Sequence, residues 1–102
     1  MSNLLPFPLS KQHALGEIRG MPSAKVFYPP HARQRMRERG VSRPDVMGCL
    51  KRGNITEGPA QMPKGTWRMT MSWFRAGCPL IVVVELDADD DGSFLIVITT
   101  ID

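Results

Sequence analysis

The stretch HARQRMRERG, residues 31–40, places Arg33, Arg35, Arg37 and Arg39 behind a histidine, His31. An imidazole among guanidinium groups is suited to RNA phosphate chemistry. One group takes the proton of a 2′-hydroxyl while fixed cations hold the phosphate as charge builds on it. Arginine fits the second task because its planar fork meets two phosphate oxygens at once. Whether these side chains serve one site depends on the backbone. As a strand, the segment would put all four arginines on one face and Ala32, Gln34, Met36 and Glu38 on the other, with little to bury on either. As a helix, Pro30 suits the first turn, Ala32 and Met36 stack four apart, and Gly40 stops the element in left-handed geometry. Arginine also favours helix over strand. The helix is therefore expected, and its spacing sorts the cations. His31, Arg35 and Arg39 form one stripe, Arg33 and Arg37 lie round the cylinder, and Glu38 is within reach of Arg35 or His31. A cation one turn away disfavours a charged imidazole, which makes His31 the candidate acid or base and Arg35 its companion. The plainer alternative is a solvated helix face. The other histidine, His13, lies in a less defined N-terminal segment.

Arg68 is a second anomaly. In TWRMTMSWF, residues 66–74, it lies mid-strand with Thr66, Thr70 and Ser72, opposite a face of Trp67, Met69, Met71 and Trp73. It is either an exposed strand residue or a phosphate-holding arginine on a concave face. Thr99 and Thr100 close the last apolar run, and one of them must share a face with site residues, where a hydroxyl could donate to phosphate; Thr99 is taken as that residue. Arg33, Arg37, Arg39, Arg43, Lys51 and Arg52 complete the candidate nucleic-acid-binding set. No glycine-rich phosphate loop occurs, so no nucleotide cofactor is expected. DADDDG, residues 87–92, begins like a calcium loop, but the twelfth position is Ile98 and strands flank it, so a solvated hairpin tip is expected. No zinc spacing exists either.

Several elements must position these residues. Residues 10–19 suit one short helix, with Ser10 as its cap and Leu15 and Ile18 on its buried side. AKVFY, residues 24–28, suits a short strand. SRPD offers Ser42 as a cap, Pro44 in the first turn and Asp45 closing a capping box; Val46, Met47, Cys49 and Leu50 form the buried side and Gly53 ends the helix. NITEG and the runs 66–74, 79–86 and 93–101 read as strands, the last two apolar on both faces. The expected fold is α+β: two consecutive helices on one face of a three- to four-stranded antiparallel sheet. Residues 1–28 would form an N-terminal extension and residues 29–102 the main domain.

With 102 residues and 42% hydrophobic content, one core is expected. Neither a leader pattern nor a spanning run is visible, so a cytoplasmic, membrane-free location is expected. Cys49 and Cys78 both sit in apolar surroundings and read as buried thiols. The net charge of +3 hides a split. Residues 1–84 hold all 13 basic residues and four acidic ones, whereas residues 85–102 hold six acidic and no basic ones. Such asymmetry points to a polyanionic partner on one surface.

HARQRMRERGVS, then KRGNITEG, then LIVVVELD and DGSFLIVITTI together resemble a family of domains of unknown function. That family carries a His-Ala-x-x-Arg-Met-x-x-Arg-Gly-(Ile/Val)-Ser signature and is related to RelE/ParE-like toxins and metal-independent bacterial toxin ribonucleases. Here His31, Ala32, Arg35, Met36, Arg39, Gly40, Val41 and Ser42 fill it. The resemblance covers residues 29–101 and implies a RelE/ParE-like fold and a small RNA-cleaving protein, with His31, Arg35, Arg39, Arg68 and Thr99 or Thr100 at the site. It also implies an antitoxin or immunity-type partner. The chain departs from its relatives in residues 1–28 and in ending TTID where they often continue with an aromatic or basic residue. Without that relationship, the same basic surface would suit a non-catalytic nucleic-acid-binding or protein-interaction module.

Overall fold

The chain was analysed as a computed structural model that describes residues 5–75 and 77–101; residues 1–4 of the N-terminal extension lie outside them. Ser10 caps helix α1 (Lys11–Arg19), its side chain accepting the His13 N–H at 3.0 Å. Ala14 and Ile18 form the buried side, with Leu15 half-buried against the same core. A single 3-10 turn, Ser23–Lys25, leads into the two-residue strand β1 (Val26–Phe27). Helix α2 (Pro30–Arg39) has proline in its first turn and buries Ala32 and Met36. Gly40, at φ 65°, ends it in left-handed geometry, and the Val41 N–H closes back on the Met36 carbonyl at 2.8 Å. The capping box on α3 (Arg43–Arg52) is complete: Ser42 Oγ accepts the Asp45 N–H at 3.2 Å, and the Asp45 carboxylate accepts the Ser42 N–H at 2.9 Å. That N–H holds the Asp45 carboxyl below its usual range, and Arg75, 3.2 Å away, adds to the effect.

Strands β2 (Asn54–Gln61), β3 (Trp67–Arg75), β4 (Cys78–Asp89) and β5 (Gly92–Ile101) form an antiparallel run, and β1 adds in parallel beside β5. The order is β1-β5-β4-β3-β2. Alternation decides which face is buried. Trp67, Met69, Met71 and Trp73 on β3 align with Leu86, Val84, Val82 and Leu80 on β4. All eight belong to the core or pack against it, each fully buried aliphatic side chain contributing about 1.5–3 kcal/mol. Helix α1 packs against β2, α3 against β3 and β4, and α2 against β5. The other face carries Arg68, Thr70, Ser72 and Phe74 of β3 and Ile81, Val83 and Glu85 of β4, with no helix over it. Phe74 and Phe27 remain 70% and 50% exposed there. Phe27 meets Phe94 edge-on at 5.7 Å.

These observations correct the expected architecture. The class is α+β, but three helices lie on a five-stranded mixed sheet, where two helices on three or four antiparallel strands in a RelE/ParE-like layout were expected. The short strand expected at residues 24–28 forms at Val26–Phe27, and its parallel pairing with β5 makes the sheet mixed. Leu9, Ala14, Ile18, Met21 and Val26 are buried in the same core as the rest of the chain. Cys78, at the start of β4, is exposed rather than buried, because it stands beside the Gly77 turn and beyond the helix-covered part of the strand. Cys49 is buried as expected, and burial pushes its thiol up to about 12. No helix among the described residues is long and apolar enough to cross a membrane.

Gly40 and Gly53 make a test of this backbone. A Cβ on Gly53 would stand 2.6 Å from the carbonyl oxygens of both Cys49 and Ser72, where α3 turns tightly into the sheet. At Gly40 there is open space but a left-handed backbone. Gly40→Ala should cost about 1 kcal/mol, and Gly53→Ala more, about 1–3 kcal/mol, because backbone must move. Thermal unfolding should rank the melting temperatures wild type, Gly40→Ala, Gly53→Ala from highest to lowest; the reverse order for the two variants would refute the close approach.

Candidate nucleic-acid interface

With Ala32 and Met36 turned into the core, the cations of α2 are sorted onto its two flanks. His31 and Arg39 are exposed and Arg35 half-buried on one flank; Arg33 and Arg37 are exposed on the other. Arg35 pairs with Glu38 at 3.6 Å, and Glu38 also accepts from Gln34 at 3.1 Å. Glu38 thus partners Arg35, one of the two alternatives its spacing allows. Arg39 borders a cavity of about 360 Å³ shared with Val41, Arg75 and Leu80. Arg33 donates to the Tyr28 carbonyl at 3.3 Å, which pins its head beside the end of β1. Arg43, opening α3, lies with its guanidinium carbon 4.7 Å from the centre of the Tyr28 ring. Burial pushes the Tyr28 hydroxyl up from its ordinary value, and the charge of Arg43 opposes the rise. One surface therefore gathers Arg33, Arg43 and an aromatic ring.

The remaining predicted residues are not drawn to this surface. Lys51 and Arg52 end α3, about 13 Å along the axis from Arg43. Lys51 donates to the carbonyls of Arg19 and Met21 at 2.7 and 2.8 Å, closing the C-terminal end of α1. Arg68 projects from the sheet face that carries no helix. Its Nε donates to Glu85 at 2.9 Å, and its Nη2 meets the same carboxylate oxygen. Thr99 lies on that same open face, aligned with Val83, whereas Thr100 aligns with Val82 and is buried beneath the helices. A register shift at Val83/Val84 decides between them. Strict alternation from Leu95 and Val97 would send Thr99 inward; the extra residue in β5 sends Thr100 instead. The Thr100 hydroxyl is buried with no hydrogen-bond partner. Arg68 and Thr99 thus share a face with each other and not with His31, Arg35 and Arg39.

The open face holds a group that sequence inspection passed over. Glu85 sits in an apolar strand with its side chain wholly buried. Thr66 donates to its Oε1 at 2.9 Å and Lys64 lies 3.1 Å from the same oxygen, while Arg68 holds the other. Burial alone would raise this carboxyl, but the hydrogen bonds from Arg68, Thr66 and Lys64 outweigh it and hold the group below its usual range. The signal was present in the strand register, because pairing outward from Arg75 and Cys78 sets Arg68 opposite Glu85. Arg68 is committed to that carboxylate, which leaves it poorly placed as a phosphate clamp. At the other end of β4, Asp89 accepts the Asp91 N–H at 2.8 Å and so shapes the acidic hairpin tip.

A family model described as a domain of unknown function (DUF4258) matches residues 28–102. No curated protein and no solved structure matches the chain.

The Glu85 cluster makes a pH prediction. A carboxyl lowered by folding stabilises the native state above its unfolded value, and that stability is lost as pH falls through the folded value. Acidification from neutrality through roughly pH 4 should therefore destabilise the wild type. Glu85→Gln should flatten part of that slope, with Asp45 supplying a remainder. Arg68→Ala, which leaves a buried carboxylate short of its main partner, should cost about 3 kcal/mol at pH 7. Urea unfolding across this pH range reads both, and identical slopes for wild type and Glu85→Gln would refute the coupling.

Proposed function

Since the chain belongs, through residues 28–102, to the DUF4258 family of domains of unknown function, we propose a role read from its own surface: binding of RNA along the arginine flanks of α2 and the start of α3. The observation that carries this reading is the gathering of Arg33 and Arg43 around Tyr28, beside Arg37 on the same side of α2. Guanidinium groups meet phosphate oxygens bidentately, and an aromatic ring among them adds a stacking surface. The segregation of the acidic residues toward β4 and β5 supports it, because the hairpin tip keeps its negative charge in a different part of the chain.

A second reading is favoured by the His31, Arg35 and Arg39 stripe, which sets an imidazole and two guanidinium groups along one flank of α2. In it the domain cleaves the RNA it binds. His31 takes the 2′-hydroxyl proton as the 2′-oxygen bonds to phosphorus, the P–O5′ bond breaks and the 5′-oxygen leaves with a proton from water; Arg35 stabilises the charged phosphate, and an antitoxin or immunity-type protein restrains the activity. Arg68 and Thr99, on the far face of the sheet, have no part in this version of the site.

Fluorescence anisotropy with a labelled RNA strand tests the first reading. Affinity should fall steeply with salt, and Arg33→Ala or Arg37→Ala should each reduce the log–log salt slope by about one. An affinity indifferent to both substitutions would remove it. The second reading turns on His31→Ala, which should retain binding while abolishing RNA cleavage; indistinguishable RNA decay with the two proteins would remove it.

A further inference from the structure

Between the 3-10 turn, the β1 edge and the first turn of α3 lies a cavity of about 380 Å³. Ala24, Val26 and Met47 give it apolar walls, Tyr28 and Arg43 supply two flat groups, and Ser23 places a hydroxyl at its rim. We infer that this cavity is a nucleobase subsite, so that the ligand of the arginine surface is RNA with at least one unpaired base. The inference rests on the RNA-binding reading and narrows it.

Four observations converge on a base rather than on phosphate alone. The volume falls in the range of small-molecule sites. Apolar walls gain nothing from a phosphate, whose charge loses hydration against them, but they do gain from a flat heteroaromatic ring. Tyrosine rings and arginine guanidinium planes are the two protein surfaces on which unstacked bases settle most readily, and here they lie together. Finally, the Arg33 head is fixed to the Tyr28 carbonyl at 3.3 Å, so a phosphate held by Arg33 is adjacent to the cavity mouth. The hydroxyl of Ser23 can donate to or accept from a base edge. A duplex cannot use this arrangement, because its bases are stacked and paired. A single strand or a loop can turn one base into the cavity while its backbone runs on along α2.

Three decamers of equal charge per strand separate the contributions: a single-stranded RNA, the same RNA as a duplex, and a strand of the same length with abasic riboses. Binding is read by fluorescence anisotropy for the wild type, Tyr28→Leu, Ala24→Leu and Arg37→Ala. Tyr28→Leu keeps an apolar body and removes the aromatic face. Ala24 is exposed, so Ala24→Leu fills the cavity without entering the core and remains informative if Tyr28→Leu fails to fold. The wild type should bind the single strand about ten-fold tighter than either the duplex or the abasic strand. Both cavity variants should lose about ten-fold on the single strand and nothing on the abasic strand, whereas Arg37→Ala should weaken all three. Equal wild-type binding to single and abasic strands, or cavity variants matching the wild type, would overturn the subsite while leaving backbone binding intact. Failure to bind any of the three would overturn both.

Discussion

One constraint organises this molecule: a sheet with a single covered face. Alternation along β3 and β4 sends Trp67, Met69 and Met71 and Leu80, Val82, Val84 and Leu86 under the helices, and every helix must find its apolar partner there. The consequence for α2 is direct. With Ala32 and Met36 committed to the core, its arginines have nowhere to go but the two flanks and the outer surface. The cationic surface follows from the packing of two apolar residues. On the far side of the sheet the same alternation leaves Arg68 and Glu85 to neutralise each other among apolar neighbours, where an unpaired carboxylate would be costly to bury.

Much of this was legible in the sequence because it is local. The caps at Ser10 and Ser42, the stop at Gly40 and the inward face of β3 depend on residues two to four positions apart, and each is found where the spacing puts it. What was not legible is non-local or involves one residue too many. A short strand at residues 24–28 was legible, but the parallel pairing of β1 with Leu95 and Ile96 is a tertiary fact. The irregularity at Val83/Val84 reverses the facing of Thr99 and Thr100, and no strand alternation predicts an extra residue. The partner of Arg68 lies seventeen positions on, hidden in a run that reads as apolar on both faces. Tyr28 was passed over because a lone tyrosine ahead of two prolines has no periodicity to place it.

The candidate site shows the same division. The stripe of His31, Arg35 and Arg39 is a property of one helix and needed only the decision between helix and strand. The association of Tyr28 with Arg43 joins the end of β1 to the start of α3 and exists only once α2 has folded back between them. The surface features of this chain are therefore of two kinds. A charged flank can be read from spacing, and a cavity beside it is assembled by topology.

The parallel pairing of Val26 with Leu95 carries a consequence for folding. The first strand of the sheet pairs with the last, so the segment from residue 26 to residue 95 must be in place before that edge can close. Until then α2 is without β5, the strand on which its apolar side packs. Closure of so long a loop is slow compared with helix formation.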